Sequence, residues 1–282
     1  MTINHNTFSG IADARVLIVN DDGIDAHGIK MLERIVKDLC DDVWIVAPTV
    51  QQSATGHSLT LRRPLRIINY GPKKFAVDGT PTDCVLLAVN QIMKDSLPDF
   101  VLSGINHGQN VGEDMTYSGT IAAAIEGTLS GIPSIALSQA MNAEDFRNTG
   151  NNVSKSYSAA SRFVADVLKI ITELSFPKDV LLSVNFPPSR DGNIAGIEVT
   201  RSGTGQKFGD HILQKQDPRG HPYYWIGERK CDPRELKGTD VEAIAKNTIS
   251  VTPISVDLTH DETVNRLKDA FKKISSNQRG SV

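Results

Sequence analysis

Two adjacent aspartates, Asp21 and Asp22, follow the apolar run Arg15 to Asn20 (RVLIVN) and precede Gly23. Carboxylates side by side at a strand end repel each other and are desolvated by the sheet, so an ionised pair is costly there without a cation beside it. A hard divalent ion resolves that conflict. Two further stretches offer partners. The loop opening at Pro48 carries Gln51, Gln52, Ser53, Thr55 and His57, and Ser103-Gly104-Ile105-Asn106-His107-Gly108-Gln109-Asn110 is rich in glycine and amides. A serine hydroxyl and an asparagine amide add only oxygen donors, which favours magnesium or manganese, with calcium next, over a thiolate or imidazole zinc site. The alternative reading of Asp-Asp-Gly is an N-cap and turn ahead of a helix.

Tyr117-Ser118-Gly119-Thr120 leads into the small-residue run Ile121-Ala122-Ala123-Ala124-Ile125. Such a sequence starts a helix whose first amides are unshielded, and Ser118 and Thr120 add hydroxyls for an anion. An ordinary Ser/Thr cap is the alternative. A cation site and an anion site on one sheet edge together indicate a phosphate ester, with Asn110, Ser118, Gly119 and Thr120 as candidate phosphate contacts. His57 and His107 lie in the same loops, either as proton donors to a leaving group or as solvated side chains. Aspartyl-phosphate chemistry requires a second acid two positions after the nucleophile, and Gly23 stands there instead. The Walker A pattern is absent. Attack on phosphorus by a metal-activated water fits better, with Asp21 or Asp22 accepting the proton.

The elements that must position these residues follow from hydrophobic periodicity. Arg15 to Asn20 reads as a strand covered on both faces. Gly28 to Leu39 has Ile29, Leu32, Ile35, Val36 and Leu39 at helical spacing, and Val43 to Ala47 reads as a second strand ended by Pro48. After an interruption the alternation resumes, with a helix over Thr82 to Met93, a short strand over Phe100 to Leu102, a helix over Gly119 to Leu129 and a strand over Ile132 to Leu137. A long helix, Ser154 to Glu173, and a strand, Val180 to Val184, follow. This pattern predicts an α/β, doubly wound, mostly parallel sheet with a Rossmann-like core. In such a sheet the loops beyond the carboxyl ends of the strands form the binding crevice, which gathers the three polar loops on one edge. Ser58 to Val77 reads as an inserted β-hairpin. Arg190 to Lys230 reads as extended arms or hairpins outside the main sheet, with Tyr223, Tyr224 and Trp225 suited to packing between subunits or stacking on a base. Thr259 and Glu262 have capping-box spacing ahead of a C-terminal helix carrying Val264, Leu267, Phe271 and Ile274.

With 282 residues, 39% of them hydrophobic, the chain can bury a large core. A net charge of −3 gives no footprint for a nucleic acid polymer. The cysteines Cys40, Cys84 and Cys231 are odd in number and far apart, as expected of packed thiols in a reducing compartment. Residues 1–14 are polar and do not read as a secretion signal, and no apolar run has the length of a membrane span. The expectation is a cytoplasmic protein with a short N-terminal extension over 1–14 and a single domain over 15–282. Within that domain, about 190–260 would form oligomerisation arms and 261–275 the last helix.

These residues carry a resemblance. The segments VLIVNDDGIDAHGI, VAPTVQQSATGHSLTL, DGTPTDCV, PDFVLSGINHGQNVGEDMTYSGTIAAAIEG and GIPSIALS, followed by GIEVTR, QDPRG, YYWIG, GTD and ISVTPISVDLT, resemble the SurE family of stationary-phase survival proteins, which act as 5′-nucleotidases. The resemblance spans about residues 15 to 260. It implies one divalent metal cation per subunit, Mg²⁺ or Mn²⁺, held by Asp21, Asp22, Ser53 and Asn106. It also implies hydrolysis of nucleoside 5′-monophosphates and homodimers or homotetramers in which C-terminal segments embrace a neighbouring subunit. Gln52 stands where many members have arginine, which puts one positive contact near the substrate in doubt, and Glu113 replaces a frequent aspartate. Two other functions remain open on sequence: a nucleotide-binding regulator without turnover, and a different metal hydrolase acting on polyphosphate or nucleotide sugars.

Overall fold

The apolar run after the N-terminal residues forms β1 (Arg15–Val19), buried at every position after Arg15. Its side chains alternate between two helical layers, as a strand's period of two requires. Val16 and Ile18 pack with Ile29, Leu32 and Val36 of α1 (His27–Lys37) and with Val164 and Leu168 of α5 (Ser158–Thr172). Leu17 and Val19 pack with Cys84 and Val85 of α2 (Pro81–Leu87) and with Ala123 of α3 (Gly119–Leu129). Each fully buried Val, Leu or Ile side chain contributes roughly 1.5–3 kcal/mol, so this strand alone couples both faces of the domain. The computed structural model describes residues 10–142, 144–145, 153–175, 177–189, 191–204, 212–226 and 236–279.

Nine strands form the main sheet, in the order β3 (Ile67–Gly71), β4 (Lys74–Val77), β2 (Asp42–Pro48), β1, β5 (Phe100–His107), β6 (Ser134–Gln139), β7 (Val180–Phe186), β11 (Thr248–Ser255) and β8 (Gly196–Val199). β1 pairs in parallel with β2 on one side and β5 on the other. The chain therefore winds outward in both directions from β1, and the β1/β5 boundary is the switch point where an open α/β sheet forms its crevice. β3 runs antiparallel to β4, and β11 antiparallel to β7, while the remaining pairs are parallel. The mostly parallel, doubly wound α/β sheet is as expected from the sequence.

Several boundaries differ. The expected hairpin over Ser58 to Val77 contracts to β3–β4, and β4 pairs with β2, so the hairpin extends the main sheet. The helix expected over Thr82 to Met93 is α helical only to Leu87 and continues as a π turn over Ala88–Ile92. Its start is well specified: Thr80 Oγ1 accepts from the Asp83 amide, Asp83 Oδ2 accepts from the Thr80 amide, and Pro81 occupies the first turn. The expectation that Arg190 to Lys230 lies outside the main sheet is corrected, because β8 joins its edge. Short strands with exposed side chains, such as the Ile197 and Val199 of β8, lack the two-sided burial that makes a strand legible. Among the described residues, β9 (Ile212–Gln216) and β10 (Pro222–Ile226) form a separate antiparallel hairpin. The last helix, α7, covers Asp261–Arg279. Its first turn is capped not by Thr259 but by His260, whose Nδ1 accepts from the Thr263 amide at 3.2 Å.

Among the described residues there are also two short α helices, α4 (Val153–Ser156), just ahead of α5, and α6 (Asp240–Ala245), capped by Thr239. At the crevice, α1 approaches β5 so closely that a Cβ on Gly28 would stand 1.9 Å from the Ile105 carbonyl oxygen. That contact is with backbone, so no side chain can rotate away. We expect Gly28→Ala to lower the unfolding free energy by roughly 1–3 kcal/mol, despite alanine's helix propensity advantage of ~1 kcal/mol. A urea midpoint equal to that of the unaltered protein would show that the two elements separate without penalty.

Candidate active site

The turn after β1 is shaped by a residue that stays out of the chemistry. Asn20 is wholly buried; its Nδ2 donates to the Gly23 carbonyl at 2.9 Å and its Oδ1 accepts from the Gly23 amide at 3.2 Å. Gly23 adopts φ +100°, a conformation glycine accommodates without strain. The clamp turns Asp21 and Asp22 outward from the sheet end. The second loop is tied to the same turn, since the Gln52 amide donates to the Asp21 carbonyl at 2.7 Å. Ser53 is thereby one residue from the Asp21 backbone.

Asp21 is 4% exposed. Its Oδ1 accepts from Thr120 Oγ1 at 2.6 Å, and a Cβ on Gly119 would fall 2.7 Å from the Asp21 Cβ. The absence of a side chain at 119 lets the N-terminus of α3 seat against this carboxylate. Burial, and then the neighbouring charge of Asp22, raise the Asp21 pKa to about 6, against the opposing hydrogen bond from Thr120. Asp22 is half-buried, and its Oδ2 accepts from the His107 amide at 3.1 Å. Burial raises its pKa as well, and the His107 amide opposes that rise. Neither carboxylate forms an ion pair among the described residues. A buried acid and its half-buried neighbour, hydrogen-bonded by a hydroxyl and an amide and ion-paired with no lysine or arginine among the described residues, form a local excess of negative charge that fits a divalent cation.

Ser53 and Asn106 each stand next in sequence to a residue bonded to the pair, Gln52 to Asp21 and His107 to Asp22. Ser53 is exposed, with its Oγ accepting from Gln51 Nε2 at 2.9 Å. Asn106 is half-buried at the end of β5, and its Nδ2 donates to the Gly108 carbonyl at 3.0 Å, which leaves Oδ1 as the end suited to a cation. Among the described residues no three His, Cys, Asp or Glu side chains come together as a metal-holding group. The set that could hold an ion thus has two carboxylates and completes its shell with neutral oxygens.

The expected phosphate contacts separate into two kinds. Ser118 caps α3, its Oγ accepting from the Ile121 amide at 3.1 Å, and Gly119 opens the helix beside Asp21. Both stand at an eleven-residue helix's N-terminus, where anions are favoured. Thr120 differs from expectation: it is fully buried and its hydroxyl donates to Asp21, so it orients a carboxylate and is not turned toward an anion. Asn110 also differs. Its Nδ2 donates to Ser138 Oγ at 2.8 Å, its amide donates to Asn185 Oδ1 at 2.8 Å, and Asn185 Nδ2 returns to its carbonyl at 3.1 Å. That network ties the loop after β5 to β6 and β7. His57 Nε2 lies 2.8 Å from Glu126 Oε2 on α3, a hydrogen bond that fastens the Ser53 loop to that helix.

Other contributors were not found from sequence. Asp240 is fully buried and accepts from the amides of Gly112, Gly203 and Val241. Tyr157 is 2% exposed and its hydroxyl lies 3.3 Å from His107 Nδ1. The GTD segment around Asp240 was a usable signal, whereas nothing in the sequence near Tyr157 points to the crevice.

Residues 16–208 match the family model described as Survival protein SurE. The chain is 49% identical to the 5′-nucleotidase SurE of Paramagnetospirillum magneticum over 94% of its own length and 100% of that protein. It is 46% identical to the 5′-nucleotidase SurE of Parvibaculum lavamentivorans, over 96% of each chain. Among solved structures it is similar to the SurE protein from Aquifex aeolicus, with a TM-score of 0.77 and 38% identity over 90% of this chain and 98% of that one.

The raised pKa of Asp21 has a signed consequence for the metal-free protein. The folded value, about 6, lies above the ordinary 3.8, so folding favours the protonated acid. The resulting stabilisation is fully present below pH 3.8 and is lost as pH rises through about 6. At pH 8 in EDTA, Asp21→Asn should therefore be more stable than the unaltered protein, by on the order of 2–3 kcal/mol, and the difference should shrink toward pH 4. Denaturant unfolding at several pH values measures it. A constant difference across that range would rule out Asp21 as the titrating group.

Proposed function

The chain belongs to the SurE family, and on that premise we propose that it is a 5′-nucleotidase that hydrolyses nucleoside 5′-monophosphates to nucleoside and phosphate with the help of a divalent cation. The observation that carries the reading is the adjacent pair Asp21–Asp22 at the switch point of the sheet, Asp21 buried and Asp22 half-buried, with no lysine or arginine ion-paired to either among the described residues. Curated relatives named as 5′-nucleotidases match over nearly their whole lengths, which supports the substrate class.

In this reading Asp21, Asp22, Ser53 and Asn106 hold one Mg²⁺ or Mn²⁺ per subunit. Such an ion supplies Lewis acidity, offsetting charge that develops on the phosphoryl oxygens and making water acidic enough to attack near neutral pH. The chain's own residues supply position. Thr120 fixes Asp21 through Oδ1 and the His107 amide fixes Asp22 through Oδ2. The opposite oxygen of each carboxylate is then the one to bind the cation or accept a proton. Ser118 and the Gly119 amide orient the phosphate at the start of α3, where the helix dipole favours an anion. Gln52, in place of a cation, leaves the phosphate's charge to the metal and to this helix end.

The wider assignment follows the same premise. We assign residues 15–282 to a single domain acting in the cytoplasm as a homodimer or homotetramer, with no membrane or nucleic acid polymer as partner. Cys40 and Cys84 are buried free thiols, in keeping with a reducing compartment. No helix among the described residues is long and apolar enough to cross a membrane. The hairpin β9–β10 exposes Leu213, Tyr224, Trp225 and Ile226, and α7 exposes Leu267 and Phe271. Apolar residues concentrated on elements that project from the core support subunit contacts there.

Phosphate release from AMP and GMP, compared with polyphosphate and p-nitrophenyl phosphate, should be greatest for the nucleotides, cease with EDTA and return with Mn²⁺ or Mg²⁺. Asp21→Asn or Asp22→Asn should lower kcat/KM by at least about 100-fold. Full activity of Asp21→Asn with metal present would overturn the assignment. For assembly, Trp225→Asp combined with Phe271→Asp should reduce the mass measured by light scattering. An unchanged oligomer would remove both elements from the interface.

A further inference from the structure

Behind the carboxylate pair, on the face of the sheet opposite α3, three segments meet at one aromatic side chain. Tyr157 is the N-cap of α5 and is 2% exposed. Its ring lies 5.2 Å from that of His27, the first residue of α1, and 5.9 Å from that of His107, the last residue of β5. Its hydroxyl lies 3.3 Å from His107 Nδ1, and the His107 amide donates to Asp22 Oδ2 at 3.1 Å. A path of two hydrogen bonds and one residue thus runs from the start of α5 to a carboxylate of the candidate metal site. Asn106, a second candidate ligand, is the residue immediately before His107.

We propose that Tyr157 is a positioning residue for the divalent-cation site, acting through His107 on Asp22 and Asn106. The inference rests on the metal reading given above. A hydroxyl this buried is costly to leave without a partner, so the bond to His107 is favoured from both ends. Burial, with Asp22 and Asp21 nearby, pushes the phenol's pKa far upward, so the group remains a neutral O–H at any working pH. It holds the imidazole without adding a charge that would compete with the cation. Glycine flanks this register: Gly104 precedes Ile105-Asn106-His107 and Gly108 follows, both at positive φ. The short segment between them is held by β5–β6 pairing, by the burial of Ile105 against α1, and by contacts that include those to Asp22, Gly108 and Tyr157. Ligand geometry in metal sites depends on such outer contacts, since an ion gains full affinity only when its donors are already in place.

The test is Mn²⁺ binding to the intact protein by calorimetry, which is independent of turnover. Tyr157→Phe keeps the ring and its packing against His27 while removing the hydroxyl, and should weaken Mn²⁺ affinity about fivefold, equivalent to ~1 kcal/mol. His107→Ala keeps the amide that holds Asp22 but removes the imidazole, and should weaken binding by a similar factor. Adding Tyr157→Phe to His107→Ala should then cost nothing further, because both act through one bond. Unchanged Mn²⁺ affinity in Tyr157→Phe, or additive losses in the double variant, would overturn the proposal. Should Tyr157→Phe fail to fold, His107→Ala decides alone, and unaltered affinity in that variant counts against the inference. Asp22→Asn separates the two readings. If it binds Mn²⁺ normally the metal site itself is wrong, whereas if it loses Mn²⁺ while Tyr157→Phe retains it, only the role of Tyr157 falls.

Discussion

The burial of the Asp21 carboxylate beside Asp22, with only neutral donors to satisfy it, is the constraint around which the crevice is organised. β1 delivers the pair at the one place in the sheet where the chain winds away in both directions. α3 can approach only because position 119 has no side chain, and Thr120 then contributes the hydroxyl that fixes Asp21. On the other face, α1 approaches β5 because position 28 has none. Two glycines on opposite layers thus allow two helices to close on the neighbouring strands β1 and β5. The close packing that stabilises the fold and the geometry that confines the acids are the same set of contacts.

The choice of donors matters as much as their number. A lysine or arginine beside Asp21 would satisfy the carboxylate permanently and fill the place of a divalent ion. Hydroxyl and amide donors stabilise the ionised acid only partly, which is why its pKa remains raised in the absence of a cation. The metal-free protein therefore carries an unfavourable electrostatic term that a cation bound there would offset. Stability and ligand binding are linked through this term, because whatever binds the folded state alone stabilises it. Basic side chains elsewhere show that cations were available to the sequence: Asp42 binds Arg15 and Lys73 at the opposite end of β2, and both hold its pKa down once burial is offset.

Legibility in the sequence followed the strength of local constraint. β1, β2, β5 and β6 were visible because two-sided burial forces continuous apolar runs, and α1 because its apolar stripe keeps helical spacing. β8 and β11 were not, since β8 is exposed on an edge and β11 alternates apolar with Ser, Thr and Pro, which reads as a loop. Within the site, topology alone predicted that the loops carrying Asp21, Asp22, Ser53 and Asn106 share one edge, and those loops are bonded to one another through Gln52 and Asp21 and through His107 and Asp22. The direction of a hydroxyl was not legible. Thr120 and Ser118 look equivalent in Ser-Gly-Thr, yet one is turned inward to Asp21 and the other caps the helix. Asn110 likewise looked like an anion contact, whereas its partners, Ser138 and Asn185, are 28 and 75 residues away in sequence. Long-range side-chain networks of that kind leave no periodic trace.

Asp240 shows that the C-terminal third does more than project from the core. Its carboxylate receives the Gly112 amide at 2.9 Å and the Gly203 amide at 2.8 Å, joining the turn ahead of α3, the segment after β8 and the start of α6. That turn, a 3₁₀ helix over Gly112–Tyr117, leads directly into Ser118 and Gly119. Three backbone donors to one buried carboxylate, counting Val241, satisfy nearly all of its hydrogen-bonding capacity, so it acts as a fixed staple and not as a reactive group. The N-terminal end of α3 is therefore set from two directions, by Asp21 at the end of the first strand and by Asp240 in a helix 219 residues later in the sequence. The matched family model ends at residue 208, before Asp240, yet the relatives align across nearly the entire chain. A crevice built mainly from the N-terminal half thus has the turn that leads into α3 held by a carboxylate from the C-terminal third.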